Sequence, residues 1–102
     1  MSQDQQHVRV DYRLRPDVDL DQQKRDIAAF IAGIHAHRVT SRYTSFQDVK
    51  DPRHFVHVGT FDADAVASLT QQEFFVAFTK LLRERCVTPP DATVLSVVAS
   101  TP

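Results

Sequence analysis

The chain has 102 residues, 42% of them hydrophobic and 25% charged, with 12 basic against 13 acidic side chains and a formal net charge of −1. That length supports one hydrophobic core, so a single domain over residues 1–102 is expected, with its structured part over about 8–100. Balanced charge without a Lys/Arg cluster lacks the electrostatic footprint of a nucleic-acid or anionic-membrane binder, so neither partner is expected.

The segment HVRVDYRLR alternates. Val8, Val10, Tyr12 and Leu14 point one way, and Arg9, Asp11, Arg13 and Arg15 the other, which is the period-two pattern of a strand with one apolar face. Pro16 ends it, because proline has no N–H for the ladder. Asp19 is then a good N-cap, and Gln22 stands three residues on, as a capping box prefers. Ile27, Phe30, Ile31 and Ile34 recur at helical spacing. The acidic start and the His35, His37 and Arg38 end suit the helix dipole, so a helix from about Leu20 to Arg38 is expected.

VTSRYTSFQ is rich in β-branched and aromatic residues and reads as a second strand. DVKDPR breaks it. HFVHVGTF follows as a third strand, with Val56 and Val58 on one face and Phe55, His57 and Phe61 on the other. Asp62 or Asp64 then caps a short helix, and the T-x-x-E pair Thr70 and Glu73 predicts a kink or restart at Thr70. Phe74, Phe78, Leu81 and Leu82 form the stripe of that second helix to about Cys86, with Phe75 at its edge. Two prolines make TPPD a loop. TVLSVVAS is the expected last strand, apolar on both faces and therefore expected to be covered on both.

The order β-α-β-β-α-β is that of an α+β, ferredoxin-like domain: a four-stranded antiparallel sheet with both helices on one face. The other sheet face is then left for a partner, and a second copy packing sheet against sheet is the commonest solution. A homodimer through the sheet faces is therefore expected.

From Val8 to Ser100 the chain resembles the antibiotic-biosynthesis-monooxygenase-like domains of the dimeric α+β barrel superfamily. The stretch SRYTSFQDVKDPRHFVHVGTFDADAVASL carries the likeness through Asp51-Pro52, Phe55 and Phe61, and the Phe74…Phe78 helix follows it. The resemblance implies a homodimer. It implies, in some members, oxidation of a small aromatic phenol or quinol by molecular oxygen with no metal or flavin, so that no cofactor is expected. The chain departs from the family at Gly59, Phe61 and Ser68, where members often carry Glu, Trp and a nearby His. The absent Trp and the absence of histidine on the second helix argue against the haem-degrading branch. No catalytic residue is carried over, and a non-catalytic domain that binds a small ligand or only dimerises stands as the alternative.

The residues themselves limit other chemistry. Cys86 is the single cysteine, which excludes an intrachain disulfide and fits a reducing cytoplasm. MSQDQQ lacks the apolar core of a signal peptide, and no apolar run approaches the ~20 residues of a membrane helix. Gly33 and Gly59 are the only glycines, so no phosphate-binding glycine loop exists. His54 and His57 are three apart on a strand and fall on opposite faces, so they cannot chelate one metal without a bulge. His35 and His37 diverge on a helix. No metal site is expected.

His57 is the candidate base, since an imidazole titrates near neutral pH, and a hydrogen-bonded interior histidine is its plainer reading. Tyr43 joins it as a catalytic candidate, while Tyr12, Phe30, Phe61, Phe74 and Phe78 are candidate walls of an apolar substrate pocket. Arg42 points away from Tyr43 and either balances an oxyanion or joins Arg9, Arg13 and Asp11 in an ion-pair lattice on the second sheet face.

Overall fold

In a computed structural model the structure describes residues 5–37 and 40–102. Arg38 and Val39, the expected end of the first helix and start of the second strand, lie outside the described residues. The elements run β1 (Gln5–Arg13), α1 (Leu20–His37), β2 (Thr40–Gln47), β3 (His54–Asp62), a 3₁₀ turn (Ala63–Ala65), α2 (Val66–Thr70), α3 (Glu73–Arg85) and β4 (Asp91–Leu95). All strand pairs are antiparallel and the spatial order is β2-β3-β1-β4, so the domain is α+β and ferredoxin-like.

The period-two pattern divides each strand into two faces, and the helices bury one of them. On β3, Phe55, His57, Gly59 and Phe61 are buried, while the residues between them are only half-buried. On β1 the same inner face carries Val8, Val10 and Tyr12, and Leu14 continues it just past the strand. Against it lie Ile27, Phe30 and Ile34 of α1, Leu69 of α2, and Phe78 and Leu82 of α3, with Cys86 closing the end. Each fully buried Leu, Ile or Phe contributes about 1.5–3 kcal/mol, so this one cluster accounts for most of the apolar driving force.

Asp19 caps α1 as expected, its Oδ1 accepting the Asp21 N–H at 2.9 Å and the Gln22 N–H at 3.3 Å. The Gln22 side chain does not reach back to complete the box; it donates to Asp26 Oδ1 at 3.0 Å instead. The second expected cap does not form. Thr70 ends α2, donating its hydroxyl to the Ala67 carbonyl, and α3 restarts at Glu73 behind an extended Gln72 with no side-chain cap. Thr70 is still helical, and an N-cap needs extended backbone, so its hydroxyl is not placed for the role.

The last strand also differs from expectation. It is Asp91–Leu95, not TVLSVVAS, and every residue of it is exposed. It pairs with β1 from Asp11↔Asp91 to His7↔Leu95, and β1 itself begins at Gln5. Pairing stops at His7↔Leu95, two residues short of the start of β1, so strand propensity in the β-branched run beyond Leu95 does not by itself extend the ladder. Val97 and Val98 are 60% and 97% exposed, so neither face is covered within one chain.

Two close approaches require glycine. A Cβ on Gly33 would stand 2.6 Å from the Phe74 ring, where α1 meets α3. One on Gly59 would stand 2.7 Å from both the Phe61 and the Tyr43 rings.

Candidate functional site: a buried tyrosine–histidine relay beside an apolar cavity

Antiparallel register brings three polar side chains together inside the sheet–helix layer. On β3, His57 pairs across the ladder with Val10 of β1 and Ser45 of β2. Tyr12 and Tyr43 lie two residues away on those neighbouring strands, the diagonal positions that long aromatic side chains span. Tyr12 Oη is 2.8 Å from His57 Nε2, and Tyr43 Oη is 2.8 Å from His57 Nδ1. Gly59, opposite Tyr43 in the ladder, leaves the room for Tyr43 to lean over.

The chain of bonds continues to α1 and α3. Gln23 Nε2 donates to Tyr12 Oη at 3.1 Å, and Gln23 Oε1 accepts from the Arg85 guanidinium at 2.7 Å. Arg85 also pairs with Asp26 at 2.8 Å. These bonds fix a direction. Arg85 cannot accept, so the Gln23 amide must turn its NH₂ to Tyr12. The Tyr12 hydroxyl then accepts from Gln23, and among its described hydrogen bonds its one proton has no acceptor but His57 Nε2, so it donates there. A neutral imidazole with Nε2 accepting carries its proton on Nδ1, which donates to Tyr43 Oη. The relay runs Arg85 → Gln23 → Tyr12 → His57 → Tyr43, and the Tyr43 O–H is its last donor.

The electrostatics agree with a neutral relay. His57 is 1% exposed, and burial pushes its pKa from 6.5 down to about 4. Burial also raises both tyrosine pKa values well above the ordinary 10, so their hydroxyls remain donors. Burial likewise pushes the Cys86 thiol up to about 11, leaving it a small inert hydrophobe.

The aromatic residues divide into two groups. Phe30 stacks on Phe78 with ring centroids 4.2 Å apart and meets Tyr43 edge-on at 5.6 Å, and Phe78 also lies 6.0 Å from the His57 ring. Phe74 tilts against Phe30 at 5.8 Å. These three phenylalanines line an open groove between α1 and α3. Phe61 instead lines a more enclosed cavity of about 370 Å³ between the β1/β4 side of the sheet and α2 and α3. Val8, Val10, Val66, Leu69, Phe75 and Leu82 make its walls apolar, and Thr70, Thr79 and Arg83 are its polar groups. Small-molecule pockets run about 300–1,000 Å³ with mostly apolar walls and few polar groups, so this one is of the right kind and at the small end. Neither His57 nor Tyr43 lines it; Val10, the ladder partner of His57, does.

The outer sheet face carries charge. Arg9 pairs with Asp11 at 2.7 Å and Arg13 with Asp51 at 2.6 Å. His54 joins this lattice between two carboxylates, Nε2 on Asp11 at 2.6 Å and Nδ1 on Asp48 at 2.9 Å. Both partners only accept, so both ring nitrogens carry protons, and the hydrogen bonds to Asp48 and Asp11 raise the His54 pKa. Among the described residues no group of three or more His, Cys, Asp or Glu is placed to hold a metal ion, and no helix is long and apolar enough to cross a membrane.

Sequence reasoning passed over Gln23, Asp26 and Arg85, which anchor the relay, and Arg83 and Thr79 on the cavity. Gln23 had a signal: it stands at the buried spacing of Ile27, Phe30 and Ile34, and a polar residue there needs a partner.

No family model matches the chain, and no curated protein matches it. Solved structures do share the fold. An antibiotic biosynthesis monooxygenase superposes with a TM-score of 0.81 at 18% identity, over 92% of this chain and 99% of the other. SnoaB, a cofactor-independent oxygenase from Streptomyces nogalater, gives 0.83 at 14% identity, over 98% and 99%. Rv0793 from Mycobacterium tuberculosis gives 0.82 at 15% identity, over 96% and 99%. The fold is thus the antibiotic-biosynthesis-monooxygenase-like one, as the resemblance implied.

Proposed function

We propose that the chain is a cofactor-independent monooxygenase that oxidises a small aromatic phenol or quinol with molecular oxygen. The observation that carries this reading is the apolar cavity walled by Phe61, one residue layer from the His57 relay, in a fold shared with structures named as a monooxygenase and a cofactor-independent oxygenase. The substrate supplies the electrons: it loses two hydrogens, one oxygen atom enters it, and the other leaves as water. His57 takes the phenolic proton at Nε2, its one accepting nitrogen, once a substrate hydroxyl replaces the Tyr12 hydroxyl there, and Tyr43 holds the imidazole from the other side through Nδ1–H. Phe61 holds the aromatic body in the cavity, while Tyr12, Phe30, Phe74 and Phe78, the other expected walls, lie outside that lining.

The working unit is a homodimer through the open sheet face, in the reducing cytoplasm that a lone buried thiol fits. Phe46 and Leu95 are 52% and 43% exposed on that face, and Val97 and Val98 extend the apolar surface beyond it. Val58→Glu places a carboxylate beside Arg9 in the same chain, so the monomer folds while the dimer weakens. Sedimentation that still gives a dimer refutes the sheet-face arrangement.

A second reading rests on the burial of His57 and the engagement of both its nitrogens by tyrosines. On that reading the relay is structural, and the chain is a small-ligand-binding or dimerisation domain. Oxygen uptake by purified, metal-free protein separates the two, using reduced hydroquinones, naphthols and anthrones with autoxidation subtracted. Uptake lost in His57→Gln supports the oxygenase; uptake unchanged in that variant removes His57 from the mechanism. No uptake with any compound favours the binding domain.

A further inference from the structure

We propose that the cavity between β1, β4, α2 and α3 selects an anion: a flat hydroxylated aromatic acid whose carboxylate is held by Arg83. The inference rests on the cavity being the ligand site, and not on oxygen chemistry. Its first support is charge. Arg83 is the only charged residue on the lining, no acidic side chain lies there, and among the described residues Arg83 has no ion-pair or hydrogen-bond partner. The neighbouring Arg85, by contrast, is fully engaged with Gln23 and Asp26.

The second support is hydrogen-bond polarity. Thr70 donates its hydroxyl proton to the Ala67 carbonyl at 3.1 Å and Thr79 to the Val76 carbonyl at 2.9 Å. Both hydroxyl oxygens therefore have only lone pairs left to offer the cavity. The polar groups of the wall are thus one cation and two acceptors. A neutral hydrocarbon satisfies neither kind. An aromatic acid with a hydroxyl satisfies both, its carboxylate accepting from Arg83 and its O–H donating to a threonine.

Spacing gives the third support. Thr79 and Arg83 are four apart on α3, which sets them side by side, about 5–6 Å between Cβ atoms. Phe75, Thr79, Leu82 and Arg83 thereby form one stripe facing the cavity. A carboxylate and a hydroxyl on the same ring system, but not on adjacent carbons where the O–H would close onto the carboxylate, fit such a pair, while the ring lies on Phe75, Leu82 and Phe61.

The test is calorimetric titration of the full chain with hydroxynaphthoate and with naphthol, which differ by the carboxylate. Wild type should bind the acid about tenfold tighter at low salt, as a charge-assisted hydrogen bond at a half-wet site supplies. The preference should fall to about twofold or less in Arg83→Gln, recover in part in Arg83→Lys, and shrink with added salt. Arg83 is exposed, so neither variant threatens the fold. Equal affinity for the two compounds in wild type, a preference that survives Arg83→Gln, or no binding of either overturns the proposal. Acid-selective binding without oxygen uptake leaves this inference standing and removes the oxygenase; uptake with naphthol and no acid preference does the reverse.

Discussion

The neutral state of His57 makes the protein lose stability in mild acid, and the loss can be sized from the structure. Its pKa falls from 6.5 in the unfolded chain to about 4 in the fold. Between those values the unfolded state binds a proton that the folded state refuses, so stability declines as pH falls. From about pH 7 to about pH 5 the difference amounts to about 2 kcal/mol, and it approaches about 3 kcal/mol near pH 4. The other shifted groups act in different windows. His54 is raised, so its contribution is complete below about 6.5 and lost only as pH rises. Asp48 and Asp51 are lowered from 3.8, and their contributions fade only below that value. Urea unfolding at fixed protein concentration measures the effect. With m of roughly 1.5 kcal/mol/M, the midpoint should drop by about 1 M between those two pH values. His57→Gln keeps one donor and one acceptor but does not titrate, so its midpoint should stay nearly level across that range. An equal drop in the variant would refute the assignment of the acid sensitivity to His57.

The direction of the relay ranks two further substitutions. Tyr12→Phe leaves both Gln23 Nε2 and His57 Nε2 without a buried partner and should cost about 2–4 kcal/mol; Tyr43→Phe orphans only His57 Nδ1–H and should cost about 1–2 kcal/mol. Chemical denaturation checks the order, and a larger cost for Tyr43→Phe would reverse the inferred tautomer. Gly59→Ala drives a methyl into the Phe61 and Tyr43 rings and should destabilise by about 1–3 kcal/mol in thermal unfolding. On the outer face, an NMR titration of His54 should show a midpoint above 6.5 that moves down in Asp11→Asn, because one of its two carboxylate hydrogen bonds is weakened.

How much of this was legible in the sequence follows from what each signal depends on. Strand faces depend only on alternation, so HVRVDYRLR showed its apolar face and HFVHVGTF its two faces. Both faces of HFVHVGTF carry apolar residues, however, and which of them meets the helices, with His57 on it, came only from the fold. Helix stripes depend on local spacing, and Ile27, Phe30, Ile34, Phe78 and Leu82 were recoverable for that reason. The end of β4 was not legible, because it depends on where β1 begins to pair rather than on the valines themselves. The Thr70 cap failed because a capping pattern says nothing about the backbone angle of its first residue. The meeting of Tyr12, His57 and Tyr43 depends on register between three strands, which no local pattern encodes. Gln23 and Arg85 then join across sixty-two positions of sequence, a contact only the folded core can reveal.

His54 and His57 show how much chemistry one strand can derive from alternation alone. They are three residues apart, so they leave β3 on opposite faces. The inner face offers hydroxyls, an amide and aromatic rings. In that setting the charged imidazole has no counter-ion to offset desolvation, and His57 is held neutral. The outer face offers Asp11 and Asp48 at hydrogen-bond distance in a half-wet setting, and their hydrogen bonds raise the His54 pKa and favour its protonated form. The two pKa values therefore move apart from one common starting point. Proton chemistry near pH 7 is thereby confined by position: charge resides on the outer lattice, while the inner relay rests neutral with His57 as its one proton acceptor. Any reaction the domain performs in its apolar layer must start from that neutral set, with the proton it removes coming from the ligand and not from the protein.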